Sequence, residues 1–148
     1  MTAMNSKTRI MKIFAGEETD RMACFSGMSM VTLDCLKPFG YKFYEIHQDS
    51  RKMADVAAEA SRLYGAECAV VPFDICIESQ AMGCETNFYE DAEPGEILFP
   101  TIRPVIGHLV KAPEDLEKVV LPPDLPERGR FPLVREAITF LQKEVGQE

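Results

Sequence analysis

Long apolar runs are missing from this sequence. No window approaches the roughly 20 residues that a membrane-spanning helix needs, and Met1–Lys7 lead into a charged amphipathic segment rather than a signal-type apolar core. Basic residues are in deficit as well, with 16 Lys and Arg against 24 Asp and Glu. The resulting net charge of −8 lacks the positive footprint that holds a phosphate backbone. Membrane insertion and nucleic-acid binding both lie outside expectation. Histidine is scarce: only His47 and His108 occur, in separate, unpaired contexts. The five cysteines (Cys24, Cys35, Cys68, Cys76 and Cys84) are odd in number and form no C-x-x-C pair, which argues against a four-cysteine zinc module. Several sit in apolar runs, where a free thiol behaves as a small hydrophobe. The reading is one of reduced thiols in a cytoplasmic protein. There is no glycine-rich phosphate loop, no G-x-S-x-G elbow and no H-E-x-x-H helix.

What is present centres on Cys68-Ala69-Val70-Val71-Pro72-Phe73-Asp74. A short apolar run between Gly65 and a carboxylate predicts a buried strand, of the near-continuous kind found in parallel sheets. Chemistry in α/β folds gathers at the carboxyl ends of such strands, where Asp74 stands. The plainer reading makes Asp74 the N-cap of a helix over Ile75–Met82; the two roles are compatible. Asp74-x-Cys76-x-Glu78 offers metal-type donors at the same end, but too few for a site by themselves, with a buried Cys and a solvent-facing Glu as the simpler account.

Around this stretch the chain alternates helices and extended pieces. Asn5-Ser6 opens a helix over Lys7–Ala15 that Gly16 stops. Met22–Ser26 reads as a first strand, and Val31–Leu36 as a short helix ended by Pro38. Tyr41–His47 is aromatic, extended or irregular. Arg51–Tyr64 is the clearest helix, with Met53, Val56, Ala57, Ala60, Leu63 and Tyr64 on one face. Glu85–Tyr89 and Glu96–Phe99 read as extended, and Pro113 starts a short helix. Pro132–Val145 forms a last helix with Leu133, Val134, Ala137, Ile138 and Leu141 on one face. A length of 148 residues suits one domain that buries roughly two-thirds of its unfolded surface.

Three stretches resemble the uroporphyrinogen decarboxylase superfamily: the opening helix with Gly16–Arg21, then Val71–Ile75 leading into Glu78–Cys84, and finally Gly129-Arg130-Phe131-Pro132 with its helix. The resemblance covers nearly the whole chain but only the N-terminal part of a full family member. It implies an α/β fold: the N-terminal portion of a (β/α)8 TIM-barrel, incomplete, with residues 1–148 as a single partial domain.

Two branches of the superfamily are relevant. In the decarboxylases an arginine-rich motif holds the acidic porphyrinogen, and an Asp matched by Asp74 contacts its pyrrole nitrogens. Here Ser26-Gly27-Met28-Ser29-Met30-Val31-Thr32 stands where the arginines would be, although a polyanion needs guanidinium groups. The methylcobamide:coenzyme M (corrinoid) methyltransferases are more similar, in the apolar strand, the Glu-x-x-Ala-Met-Gly-Cys continuation and Phe99-Pro100-Thr101. In that branch zinc lowers a thiol's pKa and presents the thiolate to a methyl-cobalt group, but its His-x-Cys and later Cys ligands have no counterpart here.

The resemblance therefore implies a methyltransferase-like chain, inactive alone, with Asp74 as its catalytic carboxylate and Gly27, Met28 and Phe73 binding substrate at the barrel mouth. It binds no cofactor by itself; zinc and a methylcobamide belong to a full-length relative. The implied partners are a C-terminal half-barrel chain, a corrinoid protein or a second copy covering the open face. A tetrapyrrole decarboxylase and a non-catalytic interaction domain are the alternatives.

Overall fold

The computed structural model describes residues 3–25, 31–93, 95–103 and 110–146. Among them, five α-helices and one two-stranded antiparallel ladder form an α/β arrangement whose small sheet does not close. Helix α1 spans Ser6–Phe14 and begins where the Asn5 side chain accepts a hydrogen bond from the Thr8 N–H at 2.8 Å. Helix α2 is limited to Leu33–Leu36. Helix α3, Ser50–Tyr64, is opened by Asp49, whose side chain accepts from the Lys52 N–H, and closed by Gly65 at φ +64°, a left-handed stop without Cβ penalty. Helix α4 covers Ile77–Ala81 and α5 covers Phe131–Glu144. Strands β1 (Thr86–Asn87) and β2 (Thr101–Ile102) pair in antiparallel register.

The core forms between the apolar faces of α3 and α5. Met53, Val56, Ala57 and Ala60 are buried together with Val134, Ala137 and Leu141. Each large side chain among them contributes about 1.5–3 kcal/mol by leaving water, while the alanines let the helix backbones approach. The face predicted for α3 holds over its first three turns. In the last turn Leu63 and Tyr64 stay 48% and 44% exposed, and Ile138 of α5 is likewise exposed.

A second anchor is electrostatic. Arg9 of α1 is buried, donating from Nε and Nη2 to the two carboxylate oxygens of Asp20 at 2.7 and 2.9 Å and from Nη1 to Glu67. Hydrogen bonding to Arg9 holds the Asp20 carboxyl well below the usual carboxylate range. Glu67 also accepts from the Cys24 N–H, and its own N–H donates to the Cys24 carbonyl, both at 2.8 Å.

Several sequence expectations change. Cys68–Phe73 does not belong to a ladder: the chain runs from Cys68 to Pro72 without turn or bend, but among the described residues the paired ones lie at 86–87 and 101–102. Periodicity marks an apolar extended segment, whereas a strand also needs a neighbour. For the same reason Met22–Phe25 is not a strand, and Ser26 lies outside the described residues. Phe43–His47 is a 3-10 helix, begun where the Glu45 carboxylate accepts from the Lys42 N–H. The extended piece expected over Glu96–Phe99 enters the ladder only at Thr101. No described helix is long and apolar enough to cross a membrane.

Candidate functional site

The strongest concentration of buried polar groups surrounds Asp74. Its side chain is 1% exposed, and every acceptor direction is used. Oδ1 accepts from the Cys76 N–H at 2.9 Å and from Arg130 Nη2 at 2.9 Å. Oδ2 accepts from Arg130 Nη1 at 2.8 Å and from His47 Nδ1–H at 3.0 Å. A carboxylate has about four acceptor positions, so none remains for a substrate in this arrangement. Asp74 is also not the N-cap of α4. Cys76 occupies that position, and Asp74 shapes the turn two residues before it, delaying the helix to Ile77.

Arg130, just before α5, joins the surrounding segments. Its two Nη groups form a fork on Asp74, Nε donates to Gln80 Oε1 of α4 at 2.7 Å, and Nη1 also reaches the His47 carbonyl at 3.3 Å. The guanidinium carbon lies 4.9 Å from the Phe88 ring centre, a cation–π distance. Planar, two-point recognition of this kind is specific to arginine. Gly129 makes the approach feasible. With φ +54°, it packs so closely on α4 that a Cβ would sit 3.1 Å from the Ala81 nitrogen.

His47 ends the 3-10 helix and is fully buried. Phe43, Phe73 and Phe99 surround its ring edge-to-face, with centres 5.1, 5.9 and 6.2 Å away. Nδ1 faces the ionised Asp74 and carries the proton; Nε2 is buried and has no hydrogen-bond partner among the described residues. Burial drives the His47 pKa down, reinforced by the Arg130 charge and opposed by Asp74, and the imidazole is held neutral. For Asp74, burial acts to raise the pKa. The hydrogen bonds from His47 and Arg130, the Arg130 charge and the Cys76 N–H outweigh it and keep the carboxyl far below its usual range. The Cys76 thiol donates to the Pro100 carbonyl at 3.1 Å, and burial pushes its pKa up, so it is a packed thiol rather than a nucleophile.

Of the residues singled out in the sequence, Asp74 is the hub. Phe73 is 5% exposed and belongs to the core beside His47, an aromatic wall rather than an open binding surface. Gly27, Met28 and His108 lie outside the described residues. Cys76 and Glu78 do not converge with Asp74 on a metal: among the described residues no group of three or more His, Cys, Asp or Glu is placed to hold one. His47, taken as unpaired, is Asp74's partner, and Arg130 carried no expected role beyond its place in the Gly129–Pro132 motif. Only that motif pointed towards it.

Residues 5–148 match the uroporphyrinogen decarboxylase (URO-D) family. The chain is 31% identical over 148 residues to the methylcobamide:CoM methyltransferase MtbA of Methanosarcina acetivorans, covering all of this chain and 41% of that protein. It is 29% identical over 143 residues to the methylated-thiol–coenzyme M methyltransferase of Methanosarcina mazei, covering 97% and 36%. A solved methyltransferase from Methanosarcina mazei superposes with a TM-score of 0.82 at 30% identity, over 97% of this chain and 40% of that one. The chain spans about two fifths of the length of these relatives, matching their N-terminal portion. With the family match running almost end to end, this chain belongs to the uroporphyrinogen decarboxylase superfamily and is related in sequence and structure to its methylcobamide:CoM methyltransferases.

Proposed function

We propose that the chain serves as the N-terminal portion of a corrinoid-dependent methyltransferase, moving a methyl group from a methylcobamide to a thiol such as coenzyme M. The support is its similarity, along its whole length, to proteins named for that reaction. On this reading it forms part of the wall of an incomplete (β/α)8 barrel, with Phe73 in the wall near the mouth. Asp74 acts as a positioning residue. Clamped by Arg130 and His47, it fixes the end of the 68–73 segment, the 3-10 helix and the start of α5 as one rigid corner, the kind of support a reacting geometry requires.

Zinc in such chemistry lowers the pKa of a thiol, but the described residues do not bring together a donor set for it. The thiol-activating half of the reaction therefore falls to a partner of this chain, either the C-terminal part of a barrel or a separate protein. The decarboxylase alternative fits the geometry less well, since it asks an Asp74 oxygen to meet pyrrole N–H groups when both oxygens are already doubly engaged.

The test is demethylation of methylcobalamin by coenzyme M. The chain alone and the chain fused to the complementary C-terminal part of Methanosarcina acetivorans MtbA are compared. Turnover is expected from the fusion only. Thiol methylation by the isolated, chelator-treated chain, or an inert fusion, overturns the proposal.

A further inference from the structure

A cavity of about 440 Å³ opens between residues 33–44 and the loop that joins β1 to β2, within the roughly 300–1,000 Å³ range of small-molecule sites. Its floor is apolar, formed by the buried Leu36 and Phe43 and by Leu98 of the facing loop. Phe43 packs edge-on against His47 and Phe99, with ring centres 5.1 and 5.0 Å away, so this wall is a face of the core.

The facing wall is also braced. Tyr89, at φ +56°, is the one non-glycine residue with a positive φ among the described residues. Its N–H donates to Asn87 Oδ1 at 3.1 Å, and its hydroxyl lies 2.8 Å from that of Thr101 on β2. A left-handed conformation is costly for a tyrosine and persists only where its neighbours impose it. Further along the loop, the Glu93 N–H donates to Glu96 Oε2, and the Glu96 N–H to the Glu93 carbonyl, both at 3.1 Å. Both walls are thus set before anything enters the space between them.

Each wall carries a charge that no neighbour neutralises. The Lys42 ammonium lies 5.7 Å from the centre of the Tyr44 ring. It forms no ion pair among the described residues, because the neighbouring Glu45 is held by Lys52 at 3.0 Å. The Tyr44 hydroxyl makes no hydrogen bond among them, and the Glu93 carboxylate no ion pair. Lys42 and Glu93 therefore border one apolar space from opposite walls without pairing with each other.

We propose that this cavity binds a hydrophobic α-amino acid or an equivalent zwitterion. Its carboxylate meets Lys42 and the Tyr44 hydroxyl, its ammonium meets Glu93, and its apolar side chain lies against Leu36, Phe43 and Leu98. The floor supplies burial and the charged groups supply orientation. A simple anion meets Glu93 and Glu96 as like charges, and a simple cation meets Lys42, so the two walls together select for both charges in one molecule. The assignment does not depend on methyl transfer.

The test titrates the 148-residue chain, labelled with nitrogen-15, with L-phenylalanine. Parallel titrations use 3-phenylpropionate and 2-phenylethylamine, each of which keeps the ring and lacks one charge. L-phenylalanine is expected to give saturable amide shifts on both walls, at residues 40–44 and 89–93, and the single-charge probes to bind roughly fivefold more weakly or worse. Lys42→Met is expected to weaken L-phenylalanine by a similar factor without weakening 2-phenylethylamine. Glu93→Gln is expected to weaken it likewise without weakening 3-phenylpropionate. Leu98→Arg, at an exposed position, fills the apolar floor and is expected to abolish the shifts with the rest of the amide spectrum unchanged. No saturable shift, equal affinity for L-phenylalanine and either single-charge probe, or indifference to both Lys42→Met and Glu93→Gln overturns the inference.

Discussion

Replacing Arg130 by methionine keeps the length of the apolar stem and removes every hydrogen bond its guanidinium makes. Asp74 then remains at 1% side-chain exposure with only His47 and the Cys76 N–H as donors, and the Gln80 side chain loses its partner. Removing one member of a buried pair costs about 3–5 kcal/mol, most of it from the stranded charge. With a urea dependence of about 1–3 kcal/mol per molar for a small domain, the unfolding midpoint is expected to fall by roughly 2 M in a far-ultraviolet circular dichroism titration near pH 7. The pH dependence separates this cause from lost packing. In the native chain the Asp74 pKa is depressed, so its stabilisation is present above the unfolded carboxyl value of about 3.9 and lost as pH falls through the folded value. Burial is already the largest single influence on Asp74, and without Arg130 the groups that outweigh it are reduced to His47 and the Cys76 N–H, so the pKa is expected to rise and acid to neutralise the stranded carboxylate more readily. The gap between variant and native chain is therefore expected to narrow from about pH 7 to about pH 5, and Asp74→Asn in the same variant is expected to recover part of the loss. A loss below about 1 kcal/mol, or one that is the same at both pH values, would refute the reasoning.

Two further outcomes test neighbouring features. His47 is expected to titrate below the unperturbed histidine value of about 6.5, its neutral form carrying the proton on Nδ1. Its depressed pKa contributes stability that is present above that value and lost as pH falls through the folded one. Nitrogen-15 chemical shifts of the ring followed against pH report both: a midpoint at or above the ordinary histidine value would contradict the downward shift, and a neutral ring protonated on Nε2 would contradict the assigned tautomer. Arg9→Met is expected to lower the urea midpoint more than Lys12→Met, because Arg9 is buried between Asp20 and Glu67 while the Lys12–Glu17 pair is solvent-exposed; equal shifts would remove Arg9 from its anchoring role.

The long helices were legible because their information is local. Asp49 and Gly65 mark the ends of α3, and the apolar spacing of Met53, Val56, Ala57 and Ala60 names the buried face. The pattern weakened at Leu63 and Tyr64, where burial depends on what packs opposite rather than on the helix's own period. Cys68–Phe73 reads as a buried strand, yet only Cys68–Pro72 runs without turn or bend and none of it joins a ladder, because pairing is not a property of one segment. The Asp74 corner was half legible for a related reason. Asp74 stood out as a charge at the end of an apolar run, whereas His47 and Arg130 lie 27 and 56 positions away and share no periodic pattern with it. A histidine in an aromatic stretch and an arginine after a glycine carry no local mark of being partners. Their meeting is a product of tertiary packing.

Gly129 gives that meeting a sharp tolerance. The start of α5 rests on the backbone of α4 at a separation where an added methyl group would fit only if the neighbour gave way by a few tenths of an ångström, and a left-handed φ there disfavours any side chain. An alanine at 129 would shift the start of α5 by tenths of an ångström at the residue next to the guanidinium fork. The distance between two helices and the fit of a charge pair are thus set by the same missing atom, so drift at this position would disturb the Asp74 corner without altering any of the side chains that compose it.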